Sequence, residues 1–249
     1  MSLLRVEGVS RSFGSLVAVR DVTMIVQPGE LRAVIGPNGA GKTTFFNMIS
    51  GFFPPTKGKI FFADHDITSM PPHRRVPLGI SRTFQITEVF PELTVRENLR
   101  IAVEVASRHR LSLRLSREAE AKIEARVAEL VELGGLTAKS DRNVSELTHG
   151  DQRSTEIIMA LALEPRLLLL DEPTAGMGDE ETYHVVRLVR RLHKDQKLAI
   201  ILVEHDMRVI FNLADRITVL AEGKSLAEGT PDEIANSEAV QAAYLGKAR

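Results

Sequence analysis

The stretch GPNGAGKTT, residues 36–44, places three glycines, a lysine and two threonines at the spacing G-x-x-x-x-G-K-[ST]. Its glycines let the backbone curl so that successive N–H groups face phosphate oxygens, and the helix that follows adds its positive end. Gly36, Pro37, Asn38, Gly39, Ala40, Gly41, Lys42, Thr43 and Thr44 form that cradle. Lys42 reaches towards the β- and γ-phosphates of ATP, and the Thr43 hydroxyl is offered to Mg²⁺. Such a loop needs an acidic partner at a neighbouring strand end. LLLLDE, residues 167–172, supplies it: Asp171 emerges from a buried strand to hold the magnesium shell. Glu172 lies one residue on and points differently, so it orients and deprotonates an attacking water, a role contributing about 10²–10⁴-fold. His205, after LAIILVE, ends the next strand on the same edge, where ligands bind in parallel sheets. There it contacts the γ-phosphate and holds the water.

These residues require particular elements. Residues 3–9 and 17–26 read as strands, the latter β-branched, and Pro28-Gly29 as a turn. LRAVIG, residues 31–36, is a strand feeding the glycine loop, and TTFFNMISG is a helix closed by Gly51. Residues 59–64 read as a strand and Pro71-Pro72 as a broken loop. Ser116 caps a helix whose Ile123, Val127, Leu130 and Val131 share one face, with Gly134-Gly135 ending it. RLLLLDE and LAIILVEHD are buried strands with a helix between them, which means βαβ units and a parallel sheet covered on both faces. Residues 217–229 read as two strands around a Glu-Gly turn, and TPDE at 230–233 is a capping box opening a last helix.

The bulk properties bound the function. A net charge of −1 over 249 residues argues against nonspecific nucleic-acid binding, although Arg108, Arg110, Arg114 and Arg117 cluster locally. With no cysteine there is neither a disulfide nor a thiolate metal site. The N-terminus lacks the apolar segment of a signal peptide, and no stretch approaches the ~18–20 apolar residues of a membrane span. Any membrane role therefore comes through a partner.

The order glycine loop, RTFQ, helical insert, LTHGDQ, LLLLDEPT and VEH resembles the ATP-binding subunits of ABC transporters across essentially the whole chain. The resemblance implies an α/β fold: a P-loop NTPase (RecA-like) core with an N-terminal antiparallel β subdomain and an inserted α-helical subdomain. It divides residues 1–249 into a core of 1–86 and 158–249 and a helical insert of 87–157 that carries the signature. It also implies that Gln85 links magnesium or water to the surface facing the membrane subunit. His205 becomes the switch histidine, Glu172 the hydrolytic base, and Phe13 in RSFG the ring that stacks on adenine. Two such subunits, identical or a heterodimer with a related ATPase, meet head to tail, each glycine loop facing the partner's signature at the positions of Thr148 and Gly150, with permease subunits in the membrane. The chain then sits on the cytoplasmic face.

PPHRRVPLGISRTFQ, EETYHVVRLVRRL and the ending AAYLG are similar to the branched-chain amino acid importer group, which includes urea and amide relatives; HG and EIIMAL lean towards the urea type. Gly178 stands where most relatives have aspartate, and Thr148, His149 and Asp151 replace serine, glycine and glutamine in the signature. A carboxylate about 5 Å from a phosphate charge costs on the order of 3 kcal/mol at an effective dielectric near 20. Asp151 must therefore turn away, cap its helix or pair with a cation, with Arg153 and the partner chain as candidates. Two other readings remain open from sequence: a soluble ATPase of this type not coupled to transport, and a hydrolysis-impaired regulatory module.

Overall fold

Two sheets organise the chain in the computed structural model, which describes residues 2–83, 89–107 and 116–245. The first is antiparallel, in the order β2-β1-β4-β5. Its strands are β1 (Leu4–Phe13), β2 (Leu16–Val26), β4 (Lys57–Phe62) and the two-residue β5 (His65–Asp66). The second has six strands in the order β10-β9-β3-β8-β7-β6. These are β3 (Leu31–Ile35), β6 (Ile80–Arg82), β7 (Leu167–Asp171), β8 (Ala199–Val203), β9 (Arg216–Ala221) and β10 (Lys224–Gly229). All pairings in it are parallel except the β9–β10 hairpin, which turns at Glu222-Gly223 as the sequence predicts.

Strands β3, β7 and β8 are buried at every residue, and successive side chains go to opposite faces. On one face Leu168, Leu170, Ile200 and Leu202 pack under a helical layer. That layer is α3 (Val95–Ala106), α4 (Arg117–Leu133), α5 (His149–Leu161) and α6 (Asp179–Lys194). Leu167, Leu169, Ile201 and Val203 pack on the other face against the antiparallel sheet and the helix after the glycine loop, α1 (Lys42–Ser50). Coverage of both faces explains why these strands are continuous apolar runs rather than alternating ones. Helices α7 (Met207–Leu213), α8 (Pro231–Ala235) and α9 (Glu238–Leu245) complete the chain.

Several local expectations hold. Ser116 caps α4 by accepting from the Ala119 N–H, and Ile123, Val127, Leu130 and Val131 are its buried residues. Thr230 and Glu233 make the reciprocal capping box of α8. Gly51 closes α1 in the left-handed conformation at φ 85°. The Pro71-Pro72 region, expected as loop, contains a single helical turn, α2 (Pro72–Arg75). Proline at the first helical position loses no intrahelical hydrogen bond, so it starts this turn rather than breaking it. The turn delivers Arg75, which is 1% exposed, to the C-terminal end of α1. Its guanidinium donates to the carbonyls of Met48, Ile49, Ile67 and Met70 at 2.6–3.0 Å. Burial pushes the Arg75 pKa down to about 10. Helix α5 runs unbroken through residue 157, so the signature helix enters the packing of the sheet directly.

Candidate nucleotide site

The glycine loop leaves β3 and enters α1 along a path that only glycine allows at two points. A Cβ on Gly36 would sit 2.1 Å from the Leu220 carbonyl oxygen, and one on Gly41 2.5 Å from that of Ala18. Gly41 also has φ 94° and precedes α1 without any side-chain cap, so the first N–H groups of the helix keep no side-chain acceptor. A Cβ on Gly39 would meet open space. This is an uncapped helix start behind a tightly held loop, a geometry that fits phosphate. Lys42 is 7% exposed and folds back on its own loop, donating to Gly36 O at 2.8 Å and Pro37 O at 3.2 Å. Burial pushes its pKa down, and the charges of Glu172 and Asp171 oppose that shift.

A cleft of about 440 Å³ brings Asn38 to Thr44 together with Glu172 and His205, which are the two candidate hydrolytic residues. His205 Nε2 lies 2.8 Å from Glu172 Oε1. Glu172 follows the last residue of β7 with φ 45°, a left-handed conformation that costs a non-glycine residue roughly 1–2 kcal/mol. Its N–H is tied to Val203 O at 2.8 Å. Strained residues of this kind persist where their surroundings over-determine them. The other wall of the cleft is Leu16, Val17 and Ala18 of β2 with the Glu222-Gly223 hairpin.

Asp171 is 5% exposed and does not line that cleft. Burial pushes its carboxyl up and Arg82 opposes the shift, the Arg82 guanidinium donating to Asp171 Oδ2 at 3.0 Å. Arg82 also donates to Asn47 Oδ1 and Ser50 Oγ on α1, so it joins the Asp171 strand to the glycine-loop helix. Phe13 ends β1 and stands 44% exposed, its ring edge-on to Phe53 at 5.5 Å with Arg11 against both. It too lies outside the cleft lining, next to Leu16, with which it pairs across the strands. Gln85 lies outside the described residues, as do Arg108, Arg110 and Arg114.

Thr148 and Gly150 stand at the start of α5, away from the lining of this cleft. Thr148 caps the helix by accepting from the Asp151 N–H. The Gly150 N–H donates to Glu181 Oε1 at 3.2 Å, and that bond leads the causes holding the Glu181 carboxyl below its usual range. Asp151 has found its cation. It is Lys139, 2.5 Å away, rather than Arg153. Positions two apart on a helix do not share a face, and Arg153 turns inward to Glu156 at 2.5 Å and to the Asp171 carbonyl at 2.7 Å. With its charge already paired, Asp151→Gln is expected to leave the ATPase rate within about two-fold and to cost at most about 1 kcal/mol of stability. A steady-state assay beside a denaturant melt checks both.

Sequence reasoning passed over Arg82, Glu181 and Lys139, whose partners are 89, 31 and 12 residues away respectively. Glu204 was passed over too, although it carried a signal: it closes the apolar run AIILVE, where a charge needs buried partners.

Glycine loop, acidic strand end and doubly covered sheet define a P-loop nucleotide-binding protein. Comparison with known sequences narrows the class. The ABC transporter family model matches residues 19–175, and a model described as branched-chain amino acid ATP-binding cassette transporter matches residues 224–249. The chain is 39% identical to the high-affinity branched-chain amino acid transport ATP-binding protein LivG of Escherichia coli (strain K12), covering 99% of this chain and 98% of that one. Against BraF of Pseudomonas aeruginosa, of the same description, identity is 37% with the same coverage. Among solved structures, a nucleotide-free ATP-binding cassette from an ABC transporter superposes with TM-score 0.85 at 28% identity, over 99% of this chain and 100% of that one. The ADP conformation of MJ1267, an ATP-binding cassette of an ABC transporter, gives 0.84 at 27%, with the same coverage. The chain belongs to the ATP-binding proteins of the ABC transporter family. Among the described residues no helix is long and apolar enough to cross a membrane.

Proposed function

We propose that this chain binds and hydrolyses ATP to energise uptake of branched-chain amino acids or related small amides through separate permease subunits. The observation that carries the proposal is one cleft holding the glycine loop, Glu172 and His205, with the last two 2.8 Å apart. In this reading the glycine-loop N–H groups and Lys42 bind the phosphates, Glu172 takes the proton of the attacking water, and His205 orients that water towards the γ-phosphate. Thr43 and Asp171, with Gln85, would hold Mg²⁺, which when bound neutralises charge on the phosphate oxygens. Lys42 turning onto its own loop carbonyls supports a lysine that exchanges those partners for phosphate.

In this proposal the chain pairs head to tail with a second ATP-binding subunit, a copy of itself or a related ATPase, because Thr148 and Gly150 do not line the chain's own cleft and would meet the phosphate of a partner. Such a pair makes two equivalent sites if it is two-fold symmetric. The permease meets the helical insert of 87–157, with Gln85 as the link to it, on the cytoplasmic face. The likeness to LivG and BraF over nearly the full length, with the C-terminal match, supports branched-chain amino acids over urea as cargo.

The test is purification of the tagged chain from detergent-solubilised membranes. We expect two integral membrane proteins to accompany it, and leucine with its extracytoplasmic receptor to raise ATP turnover several-fold. Recovery as a solitary protein from the detergent-free fraction, with leucine without effect, would count against the proposal.

A further inference from the structure

Glu204 closes the apolar run of β8 and is 4% exposed, yet it sits beside His205 and has no place in the steps above. Its two oxygens go to two different segments. Oε1 accepts from the Thr174 N–H at 2.9 Å and the Thr174 hydroxyl at 2.5 Å, while Oε2 accepts from the His205 N–H at 2.8 Å. Thr174 belongs to the turn Glu172-Pro173-Thr174, whose first residue is the strained one at φ 45°. Proline has no N–H to anchor that turn. The turn is held at one end by Val203 O, which accepts from Glu172 N, and at the other by Glu204. The same carboxylate fixes the backbone from which the His205 ring projects.

We propose that Glu204 is a positioning residue that sets the separation of Glu172 and His205 by holding the Thr174 end of the turn that begins at Glu172 and the backbone N–H of His205. The inference rests on the reading of those two residues as hydrolytic base and switch histidine. A buried carboxylate that only stabilised the loop would act on folding alone. One that positions the pair acts on the contact between His205 and Glu172. Glutamine keeps the size of the side chain but turns one acceptor into a donor, so it must face an N–H it cannot accept and release one segment.

The experiment compares the full chain with Glu204→Gln, reading kcat and KM for ATP and the imidazole nitrogen spectrum of His205, assigned by loss of its signals in His205→Ala. We expect kcat to fall at least about ten-fold, KM to stay within about two-fold, and the His205 signals to move towards those of a solvated imidazole. Unchanged His205 signals, or moved signals with an unchanged kcat, would overturn the proposal. Should Glu204→Gln fail to fold, Thr174→Val removes the hydroxyl contact alone, and the same two readouts decide. Failure of the underlying reading looks different: Glu172→Gln would then turn over normally.

Discussion

Glu172→Gln is expected to bind ATP as the parent chain does and to lose about 10²–10⁴-fold in turnover, the contribution of a positioned general base. Glutamine keeps the size and one acceptor oxygen, so the contact with His205 Nε2 survives as a neutral hydrogen bond and the turn at φ 45° need not move. Only proton acceptance is lost. The loss should therefore appear in kcat with KM little changed, as for a group that acts only in the transition state. Equilibrium binding of a fluorescent ATP analogue and a steady-state assay on the same preparation separate the two quantities. Near-normal turnover would remove Glu172 from the role of base.

Lys42→Ala should fail one stage earlier. The ammonium is the one charged side chain of the glycine loop, and its pKa is already pushed down by burial, so the folded chain holds it at a cost. Bound phosphate would relieve that cost by giving the ammonium charge-assisted partners in place of the Gly36 and Pro37 carbonyls. Hydrogen bonds to charged groups contribute about 1.5–3 kcal/mol each, so losing two should weaken ATP binding by at least ~10²-fold. The fold should be spared, because the amine's hydrogen bonds go to the Gly36 and Pro37 carbonyls of its own loop. Titration calorimetry with ATP and magnesium checks the affinity, and a thermal melt checks the fold. Unchanged affinity would contradict the phosphate cradle.

What could be read from sequence was what depends on spacing. The glycine loop, the strand-end Asp-Glu pair and the α8 capping box are local patterns whose geometry follows from a few consecutive residues. The buried face of α4 is periodic and equally local. Strand β6 was passed over, since Ile80–Arg82 is three residues long and gives no period. Helix α3 carried a legible start that was not used: Thr94 and Glu97 form a reciprocal capping box. Partners brought together by packing were the hard part. Asp151 meets Lys139 across a turn rather than Arg153 along its own helix, and Arg82 meets Asp171 only because β6 pairs with β7. Phe13 shows the same limit, its ring meeting Phe53, which lies outside its own strand.

The Arg75 guanidinium at the far end of α1 has a consequence for the field inside the nucleotide cleft. A nine-residue helix is about 13 Å long, and its exposed carbonyl end carries about half a negative charge. Left alone, that tail would repel a phosphate at the head by about 0.6 kcal/mol per unit charge at an effective dielectric of 20. Arg75 places a full positive charge on those carbonyls, its guanidinium donating to four carbonyl oxygens. The tail therefore changes sign, and α1 acts on an anion at its head as a positive pole at both ends rather than as a dipole. Because this charge is buried, mobile salt ions screen it far less than they screen the surface arginines.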